Sequence, residues 1–288
     1  MIQYKCKGCG GQLDIGDAGS LVCPYCGSKS FMADADFKGN EVFRRKMLSY
    51  VKARAQQKEF DYSDDNLWEA ADSVCFEMAD SQPLYINYMF KYSYNHCDCF
   101  VAKETVVYVF DTGSEAALFM DGIRKIEFPE ADNKLSRCFP VLKMELELKG
   151  GAKALVFVRR TGFYPAELFA PWPSEHLAWV ISRMENFCCT FEYSEIQFED
   201  ITPASVFINP VTHEGALFGD WRNVKGKRNN KDLEDLRKAA IELAQNTREP
   251  KELYSFLNSG PGKTAFEDFE KWDKVIEEGF GGHKFVKM

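Results

Sequence analysis

Four cysteines and three carboxylates are the groups best spaced for chemistry in this chain. Cys6-x-x-Cys9 and Cys23-x-x-Cys26 are two pairs separated by thirteen residues. Each pair sets two thiolates on one tight turn, and two such turns complete a tetrahedral sulfur set of the kind zinc takes. With four cysteine ligands no coordination position stays open for water or substrate, so the implied Zn2+ is structural. Gly10 and Gly27 follow the second cysteine of each pair, where a knuckle turn favours positive φ. The acids are Glu199, Asp200 and Asp220. Asp200 precedes the apolar run Val206–Ile208, Asn209-Pro210 supplies a turn, and a second apolar run leads to Asp220. A hairpin carrying an acid at each end brings the two carboxylates near each other, as proton transfer or cation binding would require.

The rest of the chain must position these groups. An amphipathic helix is expected from Asn40, with Phe43, Met47, Tyr50 and Val51 on one face and Arg44, Arg45, Lys46, Lys52, Arg54 and Lys58 on the others. A second helical stripe is read over Leu67, Trp68, Ala71, Val74, Cys75 and Met78, capped by Asp64 or Asp65. Pro83 opens the aromatic stretch LYINYMFKYSY, expected to pack these helices onto the next domain. Thr105–Phe110 and Glu115–Met120 read as strands around an Asp111-Thr112-Gly113 turn. Val141–Leu148 alternates, Gly150-Gly151 turns, and Ala154–Val158 returns.

Pro173-Ser174 then starts a long helix with Leu177, Val180, Ile181, Met184, Cys188 and Phe191 inward, which would support the Asp200 loop. A further helix from Asp232 buries Leu233, Leu236, Ala240, Leu243 and Ala244. A last one places Phe266, Phe269 and Ile276 on one side and stops at Gly279. His176 is expected at the surface, and His213 in a loop hydrogen bond. Cys188-Cys189 is read as core, because neighbours on a helix point in different directions.

Composition narrows the function classes. The chain has 288 residues, 45% hydrophobic and 28% charged, with a net charge of −8. No apolar run is long enough to span a membrane. The polar start MIQYKCKGCGG lacks the apolar core of an export signal, and the reading is therefore cytoplasmic, with free thiols. Residues 1–60 carry ten Lys or Arg against six Asp or Glu, and the remainder 26 against 38. The acidic body repels nucleic acid, so DNA or RNA binding is carried as a possibility for residues 1–60 alone.

Two resemblances follow from these residues. Residues 1–36 resemble the zinc ribbons at the ends of bacterial and transcription-related proteins, which bind DNA, RNA or protein. Behind them, Phe198-Glu199-Asp200 with Ser205, followed by a hairpin and Gly219-Asp220-Trp221, resembles the catalytic loop H-R-D-x-x-x-x-N and the D-F-G turn of the protein kinase family. Either Gly219 or Asp220 takes the metal-turn position. Asp232 matches the family's structural aspartate.

The resemblance implies an α+β fold: zinc ribbon at 1–36, helical connector at 37–95, an antiparallel-sheet small lobe at 96–160 and a helical large lobe at 161–288. The phosphate-handling groups depart from the family pattern. Phe100–Glu104 has no glycine, Met120 stands at the strand-lysine position, Ser205 replaces the metal-binding asparagine, and Pro129 leaves room for only a short helix where the partner glutamate belongs. Eleven residues separate Asp220 from Asp232, too few for an activation and docking segment.

Phosphoryl transfer rests on positioning and charge neutralisation, so these losses point to a pseudokinase of bacterial or phage origin. The expected role is a scaffold or regulator for a protein partner, with ATP binding disfavoured. Asp200 and Asp220 stand as vestigial catalytic candidates. The alternatives are an atypical nucleotide-dependent transferase using those two acids, and a nucleic-acid-binding regulator using the ribbon and the basic helix.

Overall fold

Aromatic and β-branched residues dominate positions 84–110 and 142–158, and they build a six-stranded antiparallel sheet. The computed structural model describes residues 67–80, 82–129 and 135–284, together with four short N-terminal strands. Those four are β1 (Tyr4–Lys5), β2 (Gln12–Ile15), β3 (Ser20–Val22) and β4 (Lys29–Phe31), paired in sequence order. In sequence, one cysteine pair falls between β1 and β2 and the other between β3 and β4. The cysteines themselves, and the basic helix expected after Asn40, lie outside the described residues.

The large sheet comprises β5 (Asp72–Phe76), β6 (Leu84–Tyr94), β7 (Cys97–Ala102), β8 (Thr105–Phe110), β9 (Leu142–Glu147) and β10 (Lys153–Val158), in the order β5-β6-β7-β8-β10-β9. Two sequence expectations are corrected here. The helical stripe over Leu67–Met78 is not helical: Asp72–Phe76 is a strand whose burial alternates with period two, and LYINYMFKYSY is a strand beside it. An 11-residue aromatic partner offers a cross-strand surface that outweighs the weak helical periodicity of its neighbour.

Glu115–Met120, expected as a strand, lies within helix α1 (Gly113–Arg124). Thr112 caps it, its side chain accepting from the Glu115 amide at 3.3 Å, and Thr112-x-x-Glu115 is a capping-box sequence. Ala116, Phe119 and Met120 form the buried stripe of α1, at i, i+3 and i+4. Met120 is therefore a helix core residue and not a strand residue. The inward residues of β8 are Val106, Tyr108 and Phe110, none of them cationic.

Below the sheet stands a mainly helical lobe. Helix α2 (Ser174–Tyr193) buries Leu177, Val180, Ile181, Met184, Cys188 and Phe191. It packs on α3 (Lys231–Leu243) and α5 (Ala265–Phe280), and α4 (Lys251–Asn258) lies against both of these. Gly281, in the left-handed conformation, caps α5. The helix thus runs past Gly279, and its core side is Trp272, Val275 and Ile276, while Phe266 is exposed. His176, expected at the surface, is buried near Trp172.

Short strands β11 (Tyr164–Pro165), β13 (Val206–Asn209) and β14 (Glu214–Leu217) form a three-stranded sheet. β12 (Ile196–Gln197) pairs with β15 (Lys225–Gly226). One hydrophobic core runs from the inner face of the large sheet through α1 into the helical lobe. This is the α+β arrangement that the kinase resemblance implies, an antiparallel sheet over a helical lobe, with the β13–β14 hairpin following the long helix.

Candidate functional site

Asp200 and Asp220 meet where the hairpin ends converge. β12 and the buried Phe198 deliver Asp200, and Phe198 stacks at 4.4 Å on Trp221, which anchors the other end. The backbone amide of Asp220 donates to Oδ2 of Asp200 at 2.8 Å. Gly219 brings the strands this close: its φ of +129° suits glycine, and a Cβ there would meet Asp200 Oδ2 at 2.6 Å. Burial pushes the Asp200 carboxyl up to about 6, with the Asp220 amide pulling the other way and the charges of Asp220 and Asp235 adding to the rise.

The carboxylate of Asp220 is occupied. Arg222 donates from Nε to Oδ1 at 2.8 Å and from Nη2 to Oδ2 at 2.7 Å, a fork-on-fork ion pair with both side chains largely buried. Nη1 of the same guanidinium reaches Glu115 on α1. Asp220 first, then Glu115, outweigh burial and hold Arg222 above its ordinary range, so this cation stays charged. Helix α1 clamps the turn in two further ways. Lys125 Nζ donates to the Val224 carbonyl at 3.0 Å, and Gly122 lies so close to Trp221 that a Cβ would stand 1.9 Å from its carbonyl oxygen.

Ser205 is 1% exposed and its hydroxyl donates to the Asp200 carbonyl while accepting from the Thr202 amide. It closes the loop on itself. Glu199 points elsewhere, accepting from Gln197 Nε2 at 2.7 Å and lying 3.6 Å from Lys225. Asp232 is fully buried and pairs with Lys227, which also meets Glu192.

From the sheet, side chains descend on the same place. Tyr108 accepts from the Gly219 amide at 2.8 Å, and Tyr92 donates to Glu167 of the helical lobe at 2.8 Å. Burial keeps the thiols of Cys97 and Cys99 protonated, well above the usual cysteine range, and lifts the phenol of Tyr94, with Asp200 and Asp220 contributing. The turn of the first long hairpin, Asn95-His96, has no glycine, and His96 takes φ of 59° there. Phe100–Glu104, read as the counterpart of a phosphate loop, instead ends β7 and turns into β8.

Sequence reasoning placed Asp200 and Asp220 together. It missed Arg222, Glu115, Tyr108 and Gly122. The capping box at Thr112 could have put Glu115 on a helix, and the Asp220-x-Arg222 spacing, in which Asp220 caps the short turn Trp221–Asn223, could have suggested the local pair. Among the described residues no cluster of His, Cys, Asp or Glu is arranged to hold a metal ion, and no helix is long and apolar enough to cross a membrane.

Residues 1–29 match the model of a zinc ribbon domain family. No curated protein matches the chain. Among solved structures, the BubR1 kinase domain is similar over 83% of this chain and 93% of its own, at 8% identity and a TM-score of 0.49. The bifunctional kinase-methyltransferase WbdD is similar over 76% of this chain and 57% of its own, at 12% identity and a TM-score of 0.47. A complex of WbdD with the kinase inhibitor LY294002 is similar over 70% of this chain and 47% of its own, at 11% identity and a TM-score of 0.45. The chain spans about half the length of the WbdD chains it matches.

Proposed function

We propose that this protein is a catalytically impaired, kinase-like binding platform for a protein partner, joined to a zinc ribbon. The supporting observation is the Arg222 fork on Asp220. The carboxylate that the family pattern would use to hold Mg2+ has both oxygens bonded to a buried guanidinium, and a cation arriving there would face a resident positive charge. Arg222 also holds Glu115, the acid on the helix after the central strand, so one internal cation is shared by both acids. Tyr108 and Phe110 stand on the sheet where a phosphate-binding cation would project. In the ribbon, Cys6, Cys9, Cys23 and Cys26 hold a structural Zn2+, a reading supported by the family match over residues 1–29 and by the paired strands bracketing each cysteine pair.

Thermal shift with ATP and Mg2+ or Mn2+ tests the reading. The native chain shows no nucleotide-dependent change in Tm; a saturable rise abolished by Asp220→Ala overturns the assignment. One observation favours the second reading, an atypical nucleotide-dependent transferase. Asp200, at about 6 and partly accessible, has the proton affinity of a general base at neutral pH. That reading requires phosphoryl or nucleotidyl transfer that Asp200→Asn abolishes in a folded chain.

A further inference from the structure

On the helical lobe, away from the Asp200–Asp220 pair, a cavity of about 650 Å³ opens between the first half of α2, the β13–β14 turn and the end of α5. Its size is that of a ligand pocket. One wall is the indole of Trp179, stacked at 4.3 Å and 5° on the imidazole of His213. Ile276 and Phe280 of α5 supply the apolar wall.

Most polar groups around it are already engaged. Glu214 bonds Thr212 and Arg160, Ser182 bonds Ala178 and Trp272, His283 bonds Asp273, and Lys284 bonds the Phe280 carbonyl. Trp179 Nε1 and Arg183 Nε are different: both are buried with no hydrogen-bond partner among the described residues, while Glu175 lines the rim as an exposed carboxylate. Burial pushes Arg183 below its ordinary value, and nearby Cys138 and Glu214 offset this only in part.

The three follow one another along α2. Glu175 and Arg183 are eight residues apart, about 12 Å along the helix axis, with Trp179 midway. An extended strand advances about 3.3 Å per residue and places residues i, i+2 and i+4 on one face. A strand of five residues therefore matches the spacing. The acids Glu175 and Glu214 disfavour a polyphosphate, and the opposite charges at the two ends call for a ligand that carries both signs.

We propose that this cavity binds a short extended peptide segment of a partner protein, with a basic side chain on Glu175, an apolar side chain against Trp179 two residues along, and an acidic side chain on Arg183 two residues beyond. This deepens the binding-platform reading and is tested apart from it, because the nucleotide assay addresses the Asp200–Asp220 cleft and the peptide assay this cavity.

The probe is a fluorescein-labelled Lys-Ser-Phe-Ser-Glu peptide blocked at both ends, followed by anisotropy with the full chain. Saturable binding is expected, with at least tenfold weaker binding of the peptide carrying Gln in place of its Glu. Arg183→Leu is expected to weaken the Glu peptide at least tenfold and to erase the difference between the two peptides; Glu175→Gln does the same for Lys against Gln at the other end. No saturable binding, or equal discrimination by native and Arg183→Leu chains with matching circular dichroism, overturns the proposal. So does binding that appears only after residues 285–288 are deleted, which would give the cavity to the chain's own tail.

Discussion

Tyr108, in the middle of the large sheet, accepts a hydrogen bond from the amide of Gly219 at 2.8 Å, joining the sheet to the turn that carries Asp220. Both groups are buried, and the bond spans 111 residues of chain. Tyr108→Phe keeps the ring packing against Phe110, Phe119 and Phe157 and leaves the Gly219 amide without its acceptor. The expected cost is about 1–3 kcal/mol, measured by denaturant unfolding. An unchanged midpoint would mean that water takes over the bond and that the two layers are not coupled here.

Gly122 tests whether α1 rests on the Asp220 turn. A methyl group at this position meets backbone, which cannot rotate away, so Gly122→Ala must push α1 off Trp221 despite alanine's better helix propensity. Destabilisation of about 1–3 kcal/mol is expected. In an unconstrained helix the same change stabilises, so the sign of the effect decides the matter.

Asp200 makes stability depend on pH. Its carboxyl is raised from 3.8 to about 6 in the folded chain. Between those values the native state keeps a proton the unfolded chain has released, so stability falls as pH rises from about 4 to about 6 and is level above. The full linkage is about 3 kcal/mol, reduced by solvent screening at a partly exposed group. Asp200→Asn, which still accepts from the Asp220 amide, is expected to melt higher than the native chain at pH 8 and equally with it at pH 4. A variant that melts lower at pH 8 would contradict the shift.

In the helical lobe Arg237 grips Asp268 through two bonds of 2.7 and 2.8 Å, with Asp268 fully buried. Asp268 also accepts from the Gly262 amide, fastening the loop before α5. Neighbouring Glu185, pushed up to about 9 chiefly by burial, is the neutral acid of the group at neutral pH. Arg237→Met is expected to cost about 3–5 kcal/mol by stranding the Asp268 charge. Adding Asp268→Asn should recover part of that loss; a double variant no better than the single one would place the cost in lost packing.

Periodicity was enough wherever burial is one-sided. The long stripe from Leu177 to Phe191 and the turn at Asn209-Pro210 appear as read, and Val141–Leu148 holds a strand whose alternation fails at the exposed Met144. Leu67–Met78 and Glu115–Met120 were misread for opposite reasons. The first is a strand imposed by the aromatic run beside it, and the second is a helix set by a cap at Thr112 rather than by its short apolar run.

By itself the sequence determined the paired cysteines, the acidic body, the long helix from Ser174 and the meeting of Asp200 with Asp220, because each depends on spacing along a short stretch. The tertiary structure alone decided what surrounds those acids. Arg222 follows Asp220 by two residues and pairs with it locally, but only packing of the two layers brings Glu115 of α1 onto the same guanidinium and Tyr108 of the sheet onto the neighbouring Gly219 amide.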